Sequence, residues 1–206
     1  MNMNKKCYIV GAGDNSGTNF VKRENEYVIA ADGGLEVLKE IGITPDLIMG
    51  DFDSLGYVPK GENVIKHKVE KDDTDMMLAV KSAIDMGYDF IEIFGGTGGR
   101  PDHTIANIQT MLYASRKGVS VKMTDKNHTY YVITNESIIL SAKQSGDLSV
   151  FALGGNALNV HIKGAKYVAE GLRLTPDNPT AVSNSYIGNE VIISVEKGSL
   201  LIISER

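Results

Sequence analysis

FIEIFGGTGGRPDHTIANIQTMLYASRKGVSVKMTD, residues 90–125, decides how the first part of this chain folds. A short run of Phe and Ile breaks into a glycine-rich turn, continues as a helix-length stretch from Pro101, and closes on a second apolar run. Strand, turn, helix and strand in that order make the unit of a parallel sheet, because parallel strands need a long crossover. The same alternation runs upstream: KCYIVGAG (6–13), EYVIAAD (26–32), GGLEVLKEIG (33–42) with Leu35, Leu38 and Ile41 three apart, PDLIMGD (45–51), ENVIKHK (62–68) and TDMMLAVKSAIDMG (74–87). The pattern predicts an N-terminal three-layer α/β domain with a mostly parallel sheet.

After Asp125 the texture changes. HTYYVITNESIILS (128–141), GDLSVFALG (146–154), NVHIKGAKYVA (159–169) and VIISVEKGSLLIISE (191–205) are short runs rich in Val, Ile and Tyr, separated by Gly, Asn and Ser. None carries a helical period, so the second part reads as an all-β sandwich or roll, its last run as a hairpin turning at Lys197 and Gly198. The expected domains are 1–126 and 127–206.

Bulk properties narrow the function. The 206 residues carry 21 Lys and Arg against 26 Asp and Glu, a net charge of -5, which argues against nucleic acid as a partner. A single cysteine, Cys7, excludes an internal disulfide framework and fits a reducing compartment. Lys5 and Lys6 before CYIV mimic a signal peptide, but GAGDNSG breaks the apolar patch at once. No run approaches the roughly 18 apolar residues of a membrane span. The expectation is a cytoplasmic protein with no membrane partner.

Ligands of open parallel sheets bind outside the carboxyl ends of the strands, and there acids and glycines gather. Asp32, Gly33 and Gly34 follow EYVIAA, and Asp51 and Asp53 follow PDLIMG. In an extended segment Asp51 and Asp53 share a face while Phe52 takes the other, a pair suited to Mg²⁺ carrying phosphate oxygens. DFDSLGYVPKGE (51–62) partly matches a calcium-binding EF-hand loop, but Leu55 stands at a ligand position and Pro45 with Gly50 spoils the preceding helix. KDDTD (71–75) opens a helix; capping accounts for one or two of its polar residues, not for three acids beside Lys71. GGTGGRPDHT (95–104) offers backbone N–H groups, the fork of Arg100 and a helix N-terminus to an anion. It lacks the GK[ST] of a Walker A loop. GAGDNSG (11–17) invites a dinucleotide reading with Asp32 at the ribose, although its glycine spacing is off the standard and a tight turn accounts for it more simply.

Taken in order, ADGGL, PDLIMGDFDSL, KDDTD, GGTGGRPDHTIAN and VSNSYIG (182–188) resemble thiamine pyrophosphokinases, from about Ala30 to the C-terminus. The resemblance implies transfer of the pyrophosphoryl group of ATP to the hydroxyethyl oxygen of thiamine, giving thiamine diphosphate and AMP, with Mg²⁺ as cofactor. It implies Asp51, Asp53 and Asp75 as metal ligands, these three with Arg100 and Asp102 as the catalytic group, and Gly33, Lys71, Thr74, Gly96, Arg100, Asp102 and His103 around the nucleotide. Asp72 or Asp102 would stand near the metal. Asp32 and Asp46 would shape the pocket or bind substrate, and Asp75 or Asp102 would accept the proton of the alcohol. The first domain would be the catalytic one that binds ATP and Mg²⁺. The second would bind thiamine through Ser183 and Asn184 and join a homodimer with active sites at the subunit interface. Where relatives often carry an aromatic residue and an acid, this chain has Leu174 in GLRLT and Ser185. A pyrophosphokinase for another acceptor, such as a hydroxymethyl pterin, shares the phosphate motifs, but Ser183 and Asn184 favour thiamine. A sensor without catalysis has no need of so many charges.

Overall fold

The computed structural model describes residues 5–53, 55–68, 70 and 72–206, so the expectation for Lys71 lies outside the described residues. Packing divides the chain into two compact units, Met1–Thr110 with Val119–Lys126, and Met111–Gly118 with Asn127–Arg206.

In the first unit, β1 (Lys6–Val10), β2 (Tyr27–Ala31), β3 (Leu47–Gly50) and β5 (Phe90–Phe94) are buried along nearly their whole length. Strands covered on both faces read as unbroken apolar runs, as these do. With β4 (Val64–Lys66) and β6 (Ser120–Thr124) they pair in parallel in the order β4-β3-β2-β1-β5-β6. Alternate residues face opposite layers. Val10, Val28, Ala30, Ile48 and Phe94 pack with Leu35 and Leu38 of α1 (Gly34–Glu40). α2 (Asp75–Asp85) buries Met76, Ala79, Val80 and Ala83 at helical spacing. α3 (Pro101–Arg116) begins at the expected proline. α1 stops one residue short of the predicted stripe: Ile41 is its C-cap and stands exposed, because Gly42, at φ +72°, turns the chain.

The second unit is a sandwich. One antiparallel sheet has the order β12-β9-β14-β7 (β7 His128–Thr134, β9 Asp147–Ala152, β12 Ala181–Ser185, β14 Ser199–Glu205), the other β11-β10-β13-β8 (β8 Ser137–Leu140, β10 Ala157–Lys163, β11 Ala169–Leu174, β13 Val191–Lys197). Val160, Ile162, Ile193 and Val195 from one sheet meet Leu148, Val150, Leu200 and Ile202 from the other in a single core. The expected hairpin at Lys197 and Gly198 does not form: β13 pairs with β10 and β8, β14 with β7 and β9. One residue, Gly198, joins them, too short for a two-residue hairpin loop. At φ +112° it sends the chain across the core, and a Cβ there would lie 2.4 Å from the Asn156 carbonyl oxygen.

Candidate active site

Leaving β1 the chain builds β2, β3 and β4 to one side, while β5 and β6 stand on the other, so the order reverses between β1 and β5. A crevice at the carboxyl ends of strands is expected at such a point. A cleft of about 700 Å³ opens there, walled by Gly11–Asp14 after β1, Asp32 after β2, Asp51 after β3, Asp72–Met76 at the start of α2, and Gly95–Arg100 with His103 and Asn107 from β5 into α3.

The acids after β2 and β3 meet. Oxygen atoms of Asp32, Asp51 and Asp53 all lie within 4.8 Å of one another. The expected extended segment is not how Asp51 and Asp53 come together. Phe52 is left-handed, φ +62°, with its ring buried beside α1, and Asp53 N–H donates to Asp51 Oδ1 at 3.2 Å. Asp32 is left-handed too, φ +50°, and a Cβ on Gly50 would lie 3.0 Å from its Cα. Left-handed geometry is costly for such residues and gathers at functional sites. The resemblance implies that Asp32 shapes the pocket or binds substrate and that Asp75 binds the metal; the geometry groups Asp32 with Asp51 and Asp53. Asp75 stands on the cleft wall in the first turn of α2, outside that group.

Around them, several polar groups have defined partners. Thr74 caps α2, its Oγ1 accepting from Met77 N–H at 3.1 Å. Asp73 is paired with Lys81 at 2.6 Å. Gly95, Gly98 and Gly99 are left-handed, and Asn107, buried, donates from Nδ2 to the Gly96 carbonyl at 2.7 Å. Asn107 closes the motif GGTGGRPDHTIAN, whose reading as a phosphate loop gives it no role; the signal for it is a polar residue within the apolar stretch of α3. Arg100 forms a fork with Asp102 (Nη2–Oδ2 2.6 Å, Nε–Oδ1 3.2 Å), and that bond holds the Asp102 carboxyl below its ordinary range. Both side chains are largely exposed; Arg100 and His103 line the cleft, and Asp102 does not.

Other expected residues lie elsewhere. Gly33 is the N-cap of α1 and no part of the cleft wall. Asp46 precedes β3, at the opposite end of the strand, where it pairs with Lys22 at 2.6 Å and accepts from Val28 N–H at 2.7 Å. In the second unit Ser183 is exposed at a bulge between β12 and β9, φ +56°. Asn184 is buried: Oδ1 accepts from Tyr167 and Ser185 N–H, both at 2.9 Å, and Nδ2 donates to the Tyr167 carbonyl at 2.7 Å. Leu174 is a core residue of the sandwich, not a surface for stacking.

Comparisons with known proteins point to one family. The family model for the thiamin pyrophosphokinase catalytic domain matches residues 19–123. Thiamine pyrophosphokinase of Bacillus subtilis is 29% identical over 187 residues, covering 87% of each chain, and thiamin pyrophosphokinase 1 of Caenorhabditis elegans is 25% identical over 87% of this chain and 78% of its own. The crystal structure of the B. subtilis enzyme superposes with a TM-score of 0.85, at 25% identity, over 98% of this chain and 99% of that one. The matched region holds the three grouped acids, the start of α2 and the loop from Gly95 to Asn107, and this chain belongs to the thiamin pyrophosphokinase family.

Proposed function

We propose that the cleft transfers the pyrophosphoryl group of ATP to the hydroxyethyl oxygen of thiamine with Mg²⁺ held by Asp51, Asp53 and Asp32. The observation that carries this reading is the meeting of three carboxylates beside a glycine-rich loop and two helix N-termini. The donor set fits the ion, since hard oxygen ligands suit Mg²⁺, which takes a few carboxylates and fills its shell with water and phosphate oxygens. Bound there, Mg²⁺ supplies positive charge against the polyphosphate and lowers the cost of charge development at the leaving oxygen.

The chain's own groups do the rest. Attack by the thiamine hydroxyl at the β-phosphorus breaks the bond to the α-phosphate oxygen and releases AMP, so alignment and charge neutralisation dominate. Backbone N–H groups of the Gly95–Arg100 loop and the dipole of α3 receive phosphate oxygens. Arg100, exposed and ion-paired among the described residues with an exposed acid, can exchange Asp102 for a phosphate. Asp75 accepts the proton of the alcohol, a role favoured for it over Asp102 by its place on the cleft wall.

In the second unit Ser183 contacts thiamine, and the chain works as a homodimer with active sites at the subunit interface. Tyr167, Val168, Val182 and Ile187, all exposed around Ser183 and Asn184, are the apolar surface that supports this. The lone buried cysteine supports a cytoplasmic setting, and no helix among the described residues is long and apolar enough to cross a membrane. The test is to incubate the purified chain with ATP, MgCl₂ and thiamine and separate the products. AMP appearing in step with thiamine diphosphate is expected; Mg-ATP binding without turnover of thiamine would redirect the reading to another acceptor alcohol.

A further inference from the structure

The glycine loop GAGDNSG, residues 11–17, lies outside the region matched by the family, which begins at residue 19. The fold nonetheless builds it into the cleft wall. The N–H groups of Gly11, Gly13 and Asp14 donate to the carbonyls of Phe94 (2.8 Å), Gly95 (2.9 Å) and Thr97 (2.6 Å). The chain after β1 thus runs, rung by rung, along the start of the loop that carries Arg100. The approach is too close for side chains: a Cβ on Gly13 would lie 2.4 Å from the Thr97 carbonyl oxygen, and one on Gly95 2.4 Å from that of Gly11.

One side chain clasps this arrangement. Asn15 Nδ2 donates to the carbonyls of Gly11 (3.0 Å) and Gly13 (2.9 Å), and its Oδ1 accepts from Thr18 Oγ1 at 2.8 Å. The amide also fills the space over Gly95, where a Cβ would lie 2.6 Å from Nδ2. Two carbonyls on one end and a hydroxyl on the other fix which way the amide faces. Its hydrogen bonds all lie within residues 11–18, and its amide packs over Gly95 of the second loop.

We propose that Asn15 is a positioning residue for the nucleotide: it fixes the Gly11–Asp14 loop, and through the shared ladder the Gly95–Arg100 loop, in the arrangement that receives the polyphosphate of a nucleoside triphosphate. The inference rests on reading the cleft as the ATP site. An amide that only tied a local turn would affect stability and leave the two substrates equally served. Substrate-selective loss is the signature of the positioning role.

The experiment measures ATP binding with Mg²⁺ by calorimetry, without thiamine, and the KM of each substrate in steady state, on the full chain. Asn15→Ala removes both donors and is expected to weaken ATP binding and raise its KM about 10-fold, with the KM for thiamine within about twofold. Asn15→Asp keeps the shape and the acceptor for Thr18 but sets a carboxylate oxygen against two carbonyl oxygens. Its loss for ATP should exceed that of Asn15→Ala by about another 10-fold. Thr18→Val leaves Asn15 in place with its far end released, and a smaller loss of a few-fold in the same direction is expected, which keeps the test decisive if either Asn15 variant fails to fold. Wild-type ATP affinity in a folded Asn15→Ala, equal changes in both KM values, or Asn15→Asp binding ATP better than Asn15→Ala would overturn the proposal. A wild-type chain that binds ATP and leaves thiamine untouched refutes the acceptor assignment alone, and the affinity series still decides Asn15.

Discussion

Three carboxylates within 4.8 Å repel one another unless a cation or a proton lies among them, and that tension is the ground for proposing Asp32, Asp51 and Asp53 as the metal ligands. Asp32→Asn, Asp51→Asn and Asp53→Asn each remove one charge at nearly constant shape. Each should leave the thermal unfolding midpoint unchanged or higher and cut turnover by at least about 10- to 100-fold, with the Mg²⁺ concentration for half-maximal rate raised. A rate against Mg²⁺ titration reads both. Normal metal dependence in Asp32→Asn would return that residue to a substrate role. The acids were legible at this scale because aspartates after an apolar run stand out in any sequence. Their partnership was not, because it depends on left-handed turns at Asp32 and Phe52; aspartate takes that conformation more often than most residues but rarely enough to escape notice, and phenylalanine gives no sign of it.

At the scale of elements, the parallel sheet and its helices could be read from the chain because buried strands announce themselves as apolar runs and α2 and α3 begin at Thr74 and Pro101, residues suited to helix starts. Local chemistry and tertiary place agree there. They part at β13 and β14, where two adjacent strands look like a hairpin and yet belong to different sheets, since pairing partners distant in sequence leave no local mark. Thr74 shows how an element competes with a site for the same residue. Its hydroxyl accepts the Met77 N–H, so its first task is to hold the turn of α2 that carries Asp75. Thr74→Ala should cost about 1 kcal/mol of stability and Thr74→Ser almost none, read from denaturant midpoints. If Thr74→Ser kept the cap and still lost ATP affinity, the hydroxyl would have a second, direct part in binding.

For the whole molecule, the division into an α/β unit and a β unit shows in the sequence pattern, because a sandwich core demands short alternating strands and a wrapped sheet does not. What the pattern hides is which polar residues of the sandwich serve the fold. Ser183 and Asn184 are neighbours in one motif, and the sequence treats them alike; the structure separates them. Asn184 spends its amide on the backbone of Tyr167 and Ser185 from a buried position, so Asn184→Ala strands those groups and should lower stability by about 1–3 kcal/mol. Ser183 is exposed on a bulged strand, and its backbone N–H is engaged with Ser149 Oγ at 3.2 Å; the ligand contact proposed for it is through the hydroxyl. Ser183→Ala should therefore keep the unfolding midpoint and raise the KM for thiamine about 10-fold while leaving that for ATP in place. Steady-state kinetics with each substrate varied in turn, beside a thermal melt, separates the two residues. Equal KM changes for ATP and thiamine in Ser183→Ala would detach the β unit from acceptor recognition and place thiamine entirely on the α/β unit.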